Sequence, residues 1–467
     1  MKSTTYCLAI LLILPLVFLN QNSNAQEKSP NKLPPLEKHY SYDSVPNDPT
    51  HTRIYSLDNG LKIYISIYKN EPRIYTSIPV RVGSKNDPSN ATGLAHYLEH
   101  MLFKGTDQYG TNEFSKEKVE LQKIDSLYDI YGTQTDTIQR KKTYHKIDSI
   151  SQVASKYSIA NEYDKMMSNL GAKGTNAYTG MEQTVYINDI PTNQLHKWLL
   201  IEGERFRNPI MRLFHTELEA VYEEKNRNLD DDYAKLDEAT NAGLFQKHPY
   251  GTQTTIGTIE HLKNPSLKKI KEYLKTYYVP NNMAICLAGD LNPDSTIKWI
   301  DQTFGALLSG PVPTFNSPIE EPISAPIIKN VIGPFPETLC LAFRLPGAGT
   351  KEAELLELMS SILNNGNAGL IDLDLVQKQK VGSANCYPEI FNNYSAHIFY
   401  ASPKEGQKLN ALKDLLLLEI EKVKKGDFPE WLLSAIISNL KLQRINQYET
   451  NNGRVSYFVN AFIQGAK

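Results

Sequence analysis

Gly93-Leu94-Ala95-His96-Tyr97-Leu98-Glu99-His100-Met101-Leu102-Phe103-Lys104-Gly105-Thr106 holds two histidines four residues apart, with a glutamate just before the second. No proline interrupts it, Asn90 or Thr92 is placed to cap its start, and Gly105 is placed to end it. As a helix it sets His96 and His100 about 40° apart on one face, so both imidazoles can reach one metal ion. Glu99 falls about 100° round from His100, beside such a metal rather than beneath it. Histidine is scarce, 10 in 467 residues. A chance His-x-x-Glu-His is therefore expected in roughly one chain in a hundred of this length and composition. Two histidines paired in a core would leave the glutamate between them in need of a partner.

His-x-x-Glu-His followed by Met-Leu-Phe-Lys-Gly-Thr resembles the inverted zinc motif of the pitrilysin/insulinase peptidases, family M16, which include the mitochondrial processing peptidases. The order is the reverse of the His-Glu-x-x-His of thermolysin-like enzymes. The resemblance implies that His96 and His100 are zinc ligands and that Glu99 is the general base.

The chain is long enough for two or three domains. Its composition is globular, 40% hydrophobic and 22% charged. A net charge of −2 points to neither a nucleic-acid partner nor an anionic membrane. Residues 1–25 form a unit apart. Lys2 leads an apolar run from Tyr6 to Leu19, and Ser23-Asn24-Ala25 is small where a signal peptidase reads. Fourteen apolar residues are too few to span a bilayer comfortably. A secretory signal peptide is the reading, with export to a periplasm or beyond. Of four cysteines, Cys7 leaves with that segment, and Cys286, Cys340 and Cys386 stay. Their spacing fits neither a disulfide framework nor a zinc knuckle, so buried free thiols are expected.

Residues 26–50 read as an extended leader. Leu57-Asp58-Asn59-Gly60-Leu61 is a hairpin turn between strands at 51–57 and 62–68, and 75–82 is a third strand. Residues 113–168 are helical in pattern, with Leu121, Ile124, Leu127 and Tyr128 at helical spacing, and read as a solvated insertion. Gly174-Thr175-Asn176-Ala177-Tyr178-Thr179 is a Gly-flanked extended segment ahead of a strand at Gln183–Ile187. The family has a similar segment as an edge strand beside the zinc, where substrate adds as a further strand. By resemblance Asn176, Ala177 and Tyr178 line the cleft.

Thr216 to Lys225 carries four glutamates. Positions seven apart return to within about 20° on a helix, so Glu217 and Glu224 share a face while Glu219 and Glu223 point elsewhere. Two carboxylates on an otherwise apolar face need something cationic to receive them. The family's downstream pair has the same separation. The resemblance makes Glu224 the third zinc ligand and Glu217 its supporting residue. The gap from His100 to Glu224 exceeds the family's usual one, and the insertion should loop out to absorb it. His248, in Lys247-His248-Pro249-Tyr250-Gly251, has no partner at ligand spacing and reads as structural.

Prolines at 311, 313, 318, 322 and 326 mark 309–326 as an interdomain linker. Beyond it come strands near 327–332, 338–344 and 396–401, and helices over 352–363, 409–423 and 430–443. That order loosely echoes the first domain without a second metal motif. The fold class is therefore α+β, with two sequential duplicated domains, each a mostly antiparallel sheet packed by helices. Residues 51–308 carry the zinc and 327–467 form a metal-free domain that looks short of a last strand and helix.

The function implied is an exported zinc endopeptidase acting on peptides or unfolded protein segments, with one Zn²⁺ per chain. A non-catalytic scaffold of the same fold is the alternative. Family chambers close from two halves, so a homodimer or a second M16-like chain is expected, with no stable membrane span.

Overall fold

Runs rich in Ile, Val, Tyr and Thr suit a pleated, half-buried surface. Here they build a sheet from β1 (Tyr42–Asp43), β2 (Arg53–Ser56), β3 (Lys62–Ile67), β4 (Arg73–Val80), β5 (Lys173–Thr179), β6 (Thr184–Pro191) and β7 (Ala284–Gly289). The spatial order is β1-β2-β3-β7-β4-β6-β5, and neighbours are antiparallel except β3 and β7. The computed structural model describes residues 38–465, and from Tyr40 onward they form one unit. The expected signal peptide, 1–25, and residues 26–37 of the leader lie outside the described residues.

The helices of the first lobe are α1 (Leu94–Met101), α2 (Phe114–Thr133), α3 (Thr137–Ser155), α4 (Glu162–Asn169), α5 (Leu195–Arg207), α6 (Phe214–Asp230), α7 (Asp232–Leu244), α8 (Pro249–Thr252), α9 (Ile259–Lys263), α10 (Leu267–Tyr277) and α11 (Pro293–Phe304). The second lobe runs β8 (Leu339–Pro346), α12 (Lys351–Leu363), β9 (Ser383–Ile390), β10 (Tyr394–Ser402), α13 (Leu409–Lys425), α14 (Glu430–Tyr448) and α15 (Asn451–Gln464). Its strands form an antiparallel sheet in the order β8-β10-β9. That order repeats β4-β6-β5 of the first lobe.

All six residues of β7 are buried, which a strand reaches only when both faces of its sheet are covered. On one face Ile63, Ile65, Ile74 and Ile78 join Leu98, Met101, Trp198 and Ile270 in the main core. On the other, Tyr64, Val185, Cys286 and Ala288 meet Val455, Phe458, Val459 and Phe462 of α15. The last helix of the second lobe thus covers the back of the first lobe's sheet. Arg81 fastens its end, donating from Nε to the Phe462 carbonyl at 2.8 Å and laying its guanidinium 3.9 Å from that ring's centre. Asn460, Ala461 and Phe462 therefore sit inside a helix that returns to the first lobe.

Three expectations change. The 113–168 segment is helical, but it is not simply solvated. Ile124, Tyr128, Tyr131 and Ile147 enter the main core. Arg212, just ahead of α6, is fully buried and pairs with Glu117 of α2 at 2.8 Å, and Tyr128 meets His215 of α6 at 2.9 Å. The insertion buttresses α6 as well as absorbing length. No strand forms at 327–332. Pro326 and Pro334 bound that apolar run, no strand lies beside it, and Ile328 and Ile332 stay exposed. Finally, Cys340 is half-buried; Cys286 and Cys386 are buried, and all three are free.

The proline-rich stretch has no regular secondary structure, yet it is anchored. Glu320 is buried and accepts backbone N–H groups of Gln246, Lys247 and His248 at 3.1, 2.7 and 2.6 Å. Arg344 of β8 pairs with it at 3.2 Å. His248 is buried beneath this contact and caps α8, its Nδ1 accepting the Tyr250 N–H at 3.2 Å.

Candidate active site

Helix α1 is entered through Gly93, whose φ of 89° is costly for any residue with a Cβ. A Cβ there would also lie 2.7 Å from the Ile256 carbonyl. The cap comes from neither Asn90 nor Thr92. Asp87 does this work, accepting the N–H groups of Gly93 and Ala95 at 2.7 and 3.1 Å. Thr92 is occupied with His261 Nδ1, 2.7 Å from its hydroxyl. Leu94, Ala95, Leu98 and Met101 bury one side of the helix, which turns His96 and His100 toward α6. After Lys104 the chain leaves through Gly105, at φ 94°.

The two imidazoles meet edge to face, with Nε2 atoms 3.2 Å apart. Glu224 approaches both, its oxygens 3.7 Å from His96 Nε2 and 3.8 Å from His100 Nε2. One ligand atom from each of the three lies within 4.8 Å of the others. Two nitrogens each about 2.0–2.1 Å from a tetrahedral zinc stand about 3.3 Å apart, so the pair has the separation the ion requires. Neutral imidazoles and a carboxylate are also the donor set zinc takes in catalytic sites. The arrangement therefore fits a zinc ion on geometry and on chemistry.

Glu217, one face and two turns before Glu224, receives His100 Nδ1 at 2.8 Å. Its second oxygen meets Lys104 Nζ at 2.5 Å. This fixes the His100 proton on Nδ1 and leaves Nε2 free to ligate. Burial opposes ionisation of His100, but the hydrogen bond and charge of Glu217 outweigh it and its pKa rises. Burial likewise works against ionised Glu217, and His100 and Lys104 reverse it, holding its pKa low. His96 has no such partner. Burial, with the neighbouring His100, pushes its pKa down to about 4, so it is neutral and ready to ligate at pH 7.

Glu99 points away from this chain of contacts. It is buried, and the Thr179 hydroxyl donates to its Oε2 at 2.6 Å. Burial raises its pKa despite that bond and the nearby His100. A carboxylate held with a raised pKa is a better proton acceptor and donor at neutral pH than an exposed one.

These groups open on a cleft of about 640 Å³. Asn176, Ala177 and Tyr178 form one wall together with Thr179, and Glu224, Asn241 and Tyr250 stand among the facing residues. β5 is the outermost strand of its sheet among the described residues, and its residues 176–179 line the cleft. Glu219 and Glu223 are exposed on α6. Sequence reading did not find Thr179 or the Lys104–Glu217 pair, because each depends on contacts between distant segments; it also missed Asp87, which lies six residues before Gly93, outside the usual capping position.

Two family models match the chain. "Insulinase (Peptidase family M16)" covers residues 64–123, including His96, Glu99 and His100, and "Peptidase M16 inactive domain" covers 265–440. The chain belongs to peptidase family M16. Among M16 relatives, the zinc protease PqqE of Helicobacter pylori is 23% identical over 426 residues, 89% of this chain and 84% of that one. A crystal structure of a protease from H. pylori matches with a TM-score of 0.72 at 23% identity, covering 89% of this chain and 90% of that one. The periplasmic protease PqqL of Escherichia coli matches with a TM-score of 0.63 at 17% identity, over 91% of this chain but 43% of that one. The chain spans less than half the length of several other curated M16 relatives. The inactive-domain model falls mainly on the second lobe, away from the histidines.

Proposed function

We propose that this chain is a zinc-dependent endopeptidase that hydrolyses peptides or unfolded protein segments. The observation that carries the reading is the meeting of His96, His100 and Glu224 at zinc-ligand spacing, with Glu99 beside them and an open strand edge along the same cleft. His96, His100 and Glu224 hold the metal, one ion per chain. Zinc bound there would supply Lewis acidity toward the scissile carbonyl and a lowered pKa for water. Glu99 takes the proton from the water that attacks the carbonyl carbon, and returns it to the leaving nitrogen as the C–N bond breaks. Thr179 holds Glu99 in line. Glu217 keeps the His100 ring turned to its task, and Lys104 balances the charge of Glu217. The β5 edge, with Asn176, Ala177 and Tyr178, receives substrate as an added strand, drawing affinity from backbone groups and little from side-chain identity.

Export of the mature chain to a periplasm or beyond is part of the same proposal. So is pairing with a second copy, or with another M16-like chain, to close a chamber over the cleft. The similarity to a periplasmic protease supports the first. Among the described residues, no helix is long and apolar enough to cross a membrane. The test is digestion of an unstructured peptide by the purified full chain, with chelator, then with zinc restored, alongside the mass of the active species. Cleavage that survives metal removal, or a protein that purifies without stoichiometric zinc and cannot be loaded, would overturn the reading in favour of a scaffold role.

A further inference from the structure

The turn between β5 and β6 carries Glu182, three residues after Thr179, and its carboxylate is almost wholly buried. Its Oε1 accepts Lys85 Nζ at 2.6 Å and also the Tyr250 hydroxyl; its Oε2 accepts the Asn392 N–H at 3.0 Å. Lys85 and Tyr250 both reach on toward the Asn393 side-chain oxygen, at 3.4 and 3.3 Å. The partners come from three places: the turn after β4, the short helix α8, and the β9–β10 turn of the second lobe.

The backbone reinforces the contact. Ser84 and Lys85 donate their N–H groups to the carbonyls of Gly180 and Met181 at 3.1 and 3.0 Å. A Cβ on Gly83 would lie 2.3 Å from the Gly180 carbonyl and 2.6 Å from the Glu182 nitrogen, so the two turns touch with no room between them. The turn after β4 continues into Asp87, which holds the start of α1. The β5–β6 turn begins at Thr179, which holds Glu99. One buried carboxylate therefore ties the second lobe to both supports of the reactive cluster.

A buried ion pair is weak evidence for stability, because apolar residues of the same shape often serve as well or better. A geometric role accounts for it more directly. We propose that Glu182 is a positioning residue: it clamps the β5–β6 hairpin against the second lobe and, through Thr179, fixes where the Glu99 carboxylate stands in the cleft. This rests on the peptidase reading above. It gives the second lobe a task in the reaction, that of holding the wall of the site in register.

The test uses the zinc-loaded full chain and four variants: Glu182→Gln, Lys85→Met with Glu182→Gln, Thr179→Val, and Thr179→Val with Glu182→Gln. The Lys85→Met pairing removes both charges, so neither is left buried alone. A small misplacement of a reacting group costs up to about 100-fold in rate. The expected result is a kcat reduced about tenfold or more, a KM within about threefold, and unchanged zinc content. Backbone amides of residues 176–187 should exchange faster in Glu182→Gln and in Lys85→Met with Glu182→Gln. Because the effect passes through Thr179, the Thr179→Val/Glu182→Gln chain should be about as slow as the slower single variant, rather than showing the product of the two losses.

Additive losses would overturn the proposal, and so would wild-type kcat with unchanged exchange when both charges are removed. If Glu182→Gln does not fold, the variant lacking both charges carries the test; if that also fails to fold, Glu182 is a structural residue and the proposal falls. Should the unaltered, zinc-loaded chain cleave no peptide, the peptidase reading fails instead, while the exchange measurement still reports whether the clamp fixes the hairpin.

Discussion

Helices α1 and α12 hold the same place in their two lobes, each following the strand that opens β4-β6-β5 or β8-β10-β9. Their sequences still align: Ala95-His96-Tyr97-Leu98-Glu99-His100-Met101 against Ala353-Glu354-Leu355-Leu356-Glu357-Leu358-Met359. Ala353 and Leu356 are buried, as are Ala95 and Leu98. The buried sides of the two helices match, and the side that carries His96, Glu99 and His100 in α1 has no equivalent in α12. Glu354 and Leu358 stand where the imidazoles would be, and Glu357 is exposed where Glu99 is buried. In α14, the counterpart of α6, the only acid is Glu430 at its start. One scaffold thus carries a concentrated set of ionisable groups in the first lobe and an ordinary amphipathic helix in the second.

The largest effect should come from Glu99→Gln. It keeps the shape and the Thr179 contact but removes the proton acceptor. Peptide hydrolysis should fall about 10²–10⁴-fold, with one zinc per chain retained. Equal loss of metal and activity would make Glu99 a structural member of the cluster and remove the contrast with Glu357.

The lobes also differ in how their sheets are covered. α15 belongs to the second lobe by sequence but buries Phe458 and Phe462 on the first lobe's sheet. Phe458→Ala should cost about 3–5 kcal/mol in urea unfolding, and zinc binding should survive wherever the chain remains folded. A loss below about 1 kcal/mol would place α15 outside the cooperative core, since typical surface changes stay within about 0.5 kcal/mol.

The spacing of His96, His100, Glu217 and Glu224 was legible because it is a property of single helices, and helical geometry turns numbers along the chain into faces. The hairpin at Asn59-Gly60 and most second-lobe elements were legible for a similar local reason. What could not be read was which distant segment meets which. Lys104 lies in the opening motif, yet nothing near it announces Glu217. Asp87 precedes two better-looking caps. The sequence reading assigns no helix over Asn451–Gln464, and nothing local says that Phe458 and Phe462 return to β7. The misread strand at 327–332 is the converse case: the local pattern was present, and no neighbouring strand supplied hydrogen bonds.

Histidine sharpens the comparison further. His100 gains a carboxylate, whereas His397 on β10 is buried without one, and burial lowers its pKa to about 4. Above pH about 6.5 it is neutral whether folded or not, and its contribution is constant. As pH falls from about 6.5 to about 4 the unfolded chain takes up a proton that the folded one refuses, so stability declines. The full loss is about 3 kcal/mol at 1.4 kcal/mol per unit. His397→Phe should flatten the stability-versus-pH curve by about 2–3 kcal/mol over that range relative to the unaltered chain. His96 and His100 contribute equally to both proteins and cancel. An unchanged curve would mean that His397 gains a proton in the folded state after all.

The smallest expected effect is from placing two imidazoles on α12, as Glu354→His with Leu358→His. Two histidines one turn apart are only part of a zinc site. The site proposed in the first lobe has more: Glu224 approaches both imidazoles, and Glu217, itself paired with Lys104, holds His100 Nδ1. α14 offers no carboxylate beyond its first residue to do either, and removing an outer hydrogen-bond partner alone typically costs 10–100-fold in metal affinity. The altered chain should still bind one zinc per chain in equilibrium dialysis, with peptide hydrolysis unchanged. A second stoichiometric zinc would show that two imidazoles on this scaffold suffice, and that the acids of α6 serve the reaction more than the metal.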